Sequence, residues 1–144
     1  MKFRCELFGH FVYAEELSYS ELLDKELILK SELSTLLATS GYAHIHFSST
    51  GDFLLVQGVT IEYDQDYFHE LCEDVQQLLD EHVQARILFV DRLLNSVVLY
   101  LINNRCWKEN CIELPMPHEM ELFEAKKTTP VSAGQTRKKI AKSK

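Results

Sequence analysis

The chain has 144 residues, which is enough for one domain with a packed core and too few for two enzymatic domains. Hydrophobic residues make up 46% and charged residues 26%, with 5 Gly and 3 Pro, which excludes collagen-like, low-complexity and wholly disordered chains. A formal net charge of -7, from 15 Lys and Arg against 22 Asp and Glu, argues against a protein that coats nucleic acid with its whole surface.

The beginning of the chain lacks the apolar stretch that a secretion signal needs, because Glu6 and the Gly9-His10 pair follow the early charges. Apolar runs elsewhere reach only the length of a strand, whereas a membrane helix needs about 20 such residues. The 4 cysteines are expected as reduced thiols in such a chain. We therefore expect a cytoplasmic protein that does not associate with membranes.

The first elements are a strand and a helix. Apolar and polar residues alternate over residues 3–13, which predicts a strand, and Gly9 is expected to form a β-bulge within it. Ser18 begins a capping-box pattern ahead of a leucine-rich stripe, which predicts a helix over residues 18–38 that ends near Gly41. The apolar stripe of this helix is Leu22, Leu23, Leu29, Leu33, Leu36 and Leu37.

A second helix is predicted over residues 65–82, because its apolar residues recur at helical spacing and Asp64 stands at the N-cap position. The remaining segments alternate or are continuously apolar, as strands are. These predicted strands are residues 43–47, 53–63, 87–91 and 97–102, with a short piece near 111–114.

The order of elements is β-α-β-β-α-β-β(-β), which predicts an α+β fold: an antiparallel sheet with two helices on one face. The ferredoxin-like arrangement fits this order, and a secretion-chaperone-like sheet is the alternative. Residues 53–56 and 97–102 are apolar on both sides of their strands, so we expect the second sheet face to be covered as well. This face could be covered by the extra C-terminal hairpin, by a second subunit or by a bound small molecule. We favour a homodimer, because isologous pairing of identical subunits is common.

Two histidines are the best candidates for a metal site. His44 and His46 stand two residues apart on a predicted strand, where they would share one face and one ion. His10, Glu62 and Glu6 are the candidates for a third ligand. The alternative interpretation is two solvated polar residues on the outer side of a strand.

The segment from Cys106 to Cys111, followed by His118, has the residue types of a zinc site but lacks the usual spacing of two close pairs. A hairpin whose thiols face each other across a Lys-Glu-Asn turn explains the same residues. Nucleophile elbows, phosphate loops and dinucleotide fingerprints are absent from the sequence, so we expect a non-catalytic protein without a cofactor.

The C-terminal part differs from the rest in charge. Residues 126–144 hold seven bases and no acid, whereas residues 1–125 hold eight bases and all 22 acids, a net charge of -14. We predict an acidic domain over residues 1–117 and a basic, disordered tail over residues 118–144. The tail residues expected to contact nucleic acid or an acidic partner, weakly and without sequence preference, are Arg137, Lys138, Lys139, Lys142 and Lys144.

These features favour a non-catalytic interaction protein of the chaperone, inhibitor or adaptor type, which binds a basic protein partner and forms a homodimer. Acidic residues on the outward face of the second predicted helix are the expected partner-facing surface: Glu70, Glu73, Asp74, Asp80 and Glu81. The alternatives are a small-ligand or metal-binding domain that uses the second sheet face with His44 and His46, and an accessory of a nucleoprotein assembly that uses the tail.

Overall fold

A computed structural model of the protein describes residues 2–115. The predicted tail contacts and His118 therefore lie outside the described residues. The elements, in chain order, are β1 (Cys5–Tyr13), α1 (Tyr19–Thr39), β2 (Ala43–Ser49), β3 (Phe53–Thr60), α2 (Gln65–Leu78), β4 (Val83–Asp91), β5 (Ser96–Ile102) and β6 (Trp107–Glu113). Within residues 2–115, neither helix has the length and apolar character needed to cross a membrane.

The six strands form one antiparallel sheet in the order β2-β3-β1-β4-β5-β6. The first four positions, together with α1 and α2, are the split β-α-β arrangement of a ferredoxin-like fold, so the predicted α+β fold class is confirmed. β5 and β6 extend the sheet sideways from β4. The C-terminal hairpin therefore does not cover the second face, because its backbone groups pair in the plane of the sheet.

The start of α1 confirms the predicted capping box. The Ser18 hydroxyl accepts the backbone N–H of Glu21, and the Glu21 carboxylate accepts the backbone N–H of Ser18. At the other end, Gly41 has a φ of 93°, in the left-handed region that glycine adopts without strain. The leucine stripe is buried only in part, since Leu23 remains 45% exposed.

α2 begins at Gln65 as predicted but ends at Leu78, four residues before the predicted end at His82. Leu79 already has extended backbone angles, and the Asp80 carboxylate accepts the backbone N–H of His82 in a tight turn. The chain then starts β4 at Val83, four residues earlier than predicted. The helical spacing of the apolar residues thus continues past the point where turn chemistry ends the helix.

The predicted bulge at Gly9 is wrong. β1 pairs with β3 and β4 without interruption, and Gly9 lies opposite Val56 and Ile87. A Cβ atom added at Gly9 would lie 2.5 Å from Cγ1 of Val56, so this glycine permits close packing and not a change of register. The register shift of the sheet occurs instead in β2, between Ala43 and His46.

One hydrophobic core lies between the helices and one face of the sheet. Phe68 of α2 stacks on Phe89 of β4 with ring centroids 4.0 Å apart, and Tyr100 of β5 packs edge-on against Phe89. Leu33 of α1 is 1% exposed and Leu54 of β3 is fully buried. Every strand except the two at the edges contributes buried apolar residues to this layer, which leaves the opposite face of the sheet turned away from both helices.

Candidate protein-binding face

The side of the sheet that faces away from the helices carries an apolar surface, called the open face below. Its side chains alternate with the buried ones along each strand. Most of its central members are half-buried by their neighbours, and Leu101 and Ile112 are 45% and 47% exposed. The apolar residues of the open face are Phe8, Val12, Phe53, Leu55, Val59, Leu88, Val90, Val97, Leu99, Leu101 and Ile112.

The pairing register aligns these residues in rows across the sheet. The middle row runs from Phe8 of β1 to Leu88 of β4 and Leu99 of β5. A row towards one end joins Val90, Val97 and Ile112 beside Glu6, and a row towards the other end joins His10, Arg86, Leu101 and Lys108. The apolar residues are therefore contiguous, which is the property that marks binding surfaces on monomeric proteins.

The charged residues of the open face lie towards its two ends. Glu6 forms an ion pair with Arg92, with Nε and Oε1 3.4 Å apart, at one end of the face. At the other end, Arg86 and Lys108 flank Leu101 and line a cleft of about 390 Å³. The open face thus has an apolar middle, a paired end and a basic end.

The two histidines of the proposed metal site have different surroundings. His44 has a φ of 54°, within the register shift of β2, and its ring packs edge-on against Phe3 with centroids 5.5 Å apart. His46 lines a depression on the open face beside Phe8. The register shift removes the regular alternation on which their shared face depended.

The expected third ligands are not assembled beside these histidines. His10 packs edge-on against Phe53, with ring centroids 4.5 Å apart, and Glu6 pairs with Arg92. Among residues 2–115, no three His, Cys, Asp or Glu side chains lie close enough together to hold a metal ion. The histidine site stays a prediction from the sequence.

The hairpin predicted between Cys106 and Cys111 is wrong. The turn comes earlier, where the Asn103 side chain accepts the backbone N–H groups of Arg105 and Cys106. β6 then runs through the Lys-Glu-Asn segment without turning, because its backbone pairs with β5 along its whole length. Cys106 lies in the turn and Cys111 in the strand, and all four cysteines, which fall within the described residues, are free.

The predicted acidic surface lies on the helix side of the protein. All five of its residues are exposed: Glu70, Glu73, Asp74, Asp80 and Glu81. Asp80 forms an ion pair with Lys25 of α1, whereas Glu70, Glu73 and Asp74 project from α2, a helix without Lys or Arg. Because α2 ends at Leu78, Asp80 and Glu81 belong to the following turn and not to the helix.

A polar cluster between α2 and β6 was not predicted from the sequence. The Glu109 carboxylate accepts the hydroxyl of Tyr100 at 2.6 Å and the side-chain amide of Gln65 at 2.9 Å. Nε2 of His69 lies 2.6 Å from the same carboxylate, and the His69 ring packs on Trp107. No sequence pattern predicts the contact of His69 with Glu109, because the two residues are 40 positions apart. The sequence shows only that Gln65 and His69, at i and i+4, share a helix face.

The pKa values in this cluster indicate a structural role, since they keep Glu109 charged and Cys111 protonated. Hydrogen bonds from Tyr100 and His69 lower the pKa of Glu109 from 4.5 to about 2. Burial and the neighbouring Glu109 carboxylate raise the pKa of the Cys111 thiol. Cys111 is therefore protonated at neutral pH and is a weak nucleophile, so the cluster fastens the edge strand to α2.

Glu26 is a second polar residue that the sequence pattern did not single out. It lies within the apolar stripe of α1 and is 7% exposed. Its carboxylate accepts the hydroxyl of Tyr13 at 3.1 Å and that of Ser49 at 2.9 Å. These bonds join α1 to β1 and β2, which explains how a carboxylate is accommodated in the core.

Comparison with known proteins found no matching family model, no matching curated protein and no matching solved structure. Function is therefore inferred from the surfaces of the molecule, of which the open face is the most distinctive.

Proposed function

We propose that the protein is a non-catalytic interaction protein, of the chaperone, inhibitor or adaptor type, that binds protein through the open face of its sheet. The observation that carries this proposal is the contiguous apolar surface on the side opposite the helices. Contiguous apolar patches of this kind on soluble domains are characteristic of protein contacts. Apolar burial at the centre supplies affinity, and the charged ends select the partner and its orientation.

The acidic helix side supports a second, electrostatic role for the same protein. Exposed carboxylates such as Glu70, Glu73 and Asp74 attract a basic protein surface and accelerate its encounter, with an effect that weakens as salt increases. A protein with one apolar face and one acidic face can associate through the first while the second remains open to a basic partner.

Catalysis and the binding of a metal or small ligand have less support in the structure than protein binding. The Glu109 carboxylate is fully engaged with Tyr100, His69 and Gln65, and the thiol beside it is protonated. The depression that His46 lines has a volume of about 270 Å³, below the range of about 300–1,000 Å³ typical of small-ligand pockets, and the cleft of about 390 Å³ at the basic end lies near the lower limit of that range. Protein binding is therefore the function that the geometry supports best.

Site-specific photo-crosslinking in the native host tests this proposal. A photoreactive amino acid replaces Leu101, which is 45% exposed on the open face, or Leu27, which is 71% exposed on α1. We expect a discrete protein adduct from position 101 that a second change, Leu99→Lys, abolishes, and no comparable adduct from position 27. Equal labelling from both positions, or adducts that persist with Leu99→Lys, would show that the open face is not a specific binding surface.

A further inference from the structure

We infer that the partner of the open face is a second copy of this chain, with the two sheets stacked face to face about a twofold axis that runs across the strands. The inference rests on the proposed function and names the occupant of the same surface. Size, apolar pattern and charge each contribute to it.

The size of the open face matches what a stable dimer needs. Six strands of 7 to 9 residues, spaced about 4.8 Å apart and rising about 3.4 Å per residue, span roughly 25 Å in each direction. The flat area is roughly 600–700 Å², and the relief of the side chains adds to it. Stable interfaces bury about 800 Å² on each partner, so one copy of this face is sufficient to cover another.

The apolar rows suit sheet-on-sheet packing. Two sheets stack about 10 Å apart when the facing side chains interdigitate, and the middle row of Phe8, Leu88 and Leu99 offers such side chains at the centre of the face. In a twofold dimer this row packs on its own copy. The central leucines, which are half-buried in the single chain, then become a fully buried shared core.

The distribution of charge selects the direction of the axis. An axis parallel to the strands would put Arg86 and Lys108 of both copies at one end of the sandwich, where four bases would repel one another. An axis across the strands reverses the ends, so the basic end of one copy meets the end of the other that carries the Glu6–Arg92 ion pair, and not a second basic end. Glu6 and Arg86 lie on the neighbouring strands β1 and β4, two rows apart, and this arrangement brings each near the other across the interface.

Exchange of these two charges tests the inference. The full chain is purified at micromolar concentration and its association constant is measured by sedimentation equilibrium. We expect a dimer for the unmodified chain, and a dimer weakened at least about tenfold by Arg86→Glu or by Glu6→Arg alone. The double variant should associate at least about threefold more tightly than either single variant, because the pair across the interface is restored with its signs exchanged, but not as tightly as the unmodified chain, because Arg92 remains beside the new arginine at position 6.

Matched controls keep the outcome interpretable. Lys30→Glu on α1 makes the same change in net charge as Arg86→Glu on the other side of the molecule, and it should leave the association constant unchanged. Thermal unfolding checks that each variant is folded, and Arg86→Gln, which should give a smaller loss, replaces Arg86→Glu if the latter does not fold.

Three results would overturn the inference. They are a monomeric unmodified chain, single variants that associate as tightly as it does, and a double variant that fails to recover. A monomeric chain whose position 101 crosslinks to a different protein would leave the proposed function standing while this inference fails. A crosslink from position 101 to residues 116–144 of the same chain would contradict both.

Discussion

The carboxylate that joins β6 to α2 gives the most quantitative prediction. Hydrogen bonds from Tyr100 and His69 hold the pKa of Glu109 at about 2 in the folded protein, below the ordinary value of 4.5. A lowered folded pKa stabilises the native state at pH values above the unfolded pKa, and the stabilisation is lost as the pH falls through the folded pKa. The full shift corresponds to about 3.4 kcal/mol, but the Glu109 side chain is 24% exposed and solvent screening reduces the effect to about 1–2 kcal/mol.

We therefore expect Glu109→Gln to lower the free energy of unfolding by about 1–2 kcal/mol at pH 7, as measured by urea denaturation. The difference from the unmodified protein should shrink between pH 4.5 and pH 2, where the native carboxylate itself becomes protonated. Glu113→Gln, an exposed change on the same face of the same strand, serves as the control and should cost little. Equal losses for the two variants, or a Glu109→Gln loss that does not change with pH, would refute the role given to this carboxylate.

Three further changes test the backbone and the capping of the fold by thermal unfolding. Gly9→Ala should destabilise the protein by about 1–3 kcal/mol because its Cβ would lie 2.5 Å from Cγ1 of Val56. The same change should cost less in a Val56→Ala background, which removes that contact, and equal costs in the two backgrounds, or no cost at all, would contradict the close packing. Leu94→Gly should raise stability by about 0.5–1 kcal/mol, since Leu94 is exposed with a φ of 58°, and a decrease would show that its side chain makes a stabilising contact. Ser18→Ala should cost about 1 kcal/mol through loss of the helix cap, whereas an unchanged midpoint would place the cap outside the cooperative unit.

Local patterns predicted the elements well where one interaction dominates. The capping box at Ser18 fixed the start of α1, and alternation identified the strands, because both depend on neighbours in sequence. The predicted end of α2 was wrong because the helical spacing of apolar residues continues through Leu79. The turn at Asp80, whose carboxylate accepts the backbone N–H of His82, ends the helix at Leu78 instead. Gly9 was assigned to a bulge because its real reason, contact with Val56, depends on a strand more than forty residues away.

The same distinction applies to the candidate sites. Doubly apolar strands such as residues 97–102 indicated apolar side chains on both faces of the sheet, and the structure has such side chains on the face opposite the helices, where they are half-buried or exposed. The pattern did not show that β6 would join the sheet edge rather than cover its face. The contacts of Glu109 with Gln65 and His69 likewise arise only when α2 packs over the edge of the sheet, so no spacing rule reveals them.

The central claim is that two copies associate through the open face, and the molar mass of the full chain in solution tests it most directly. Light scattering at micromolar concentration should give about twice the chain mass of 16.7 kDa for the unmodified protein and for Leu27→Lys on α1, but 16.7 kDa for a folded Leu99→Lys variant. An unmodified chain of 16.7 kDa, or a Leu99→Lys variant that keeps the doubled mass, would contradict the claim.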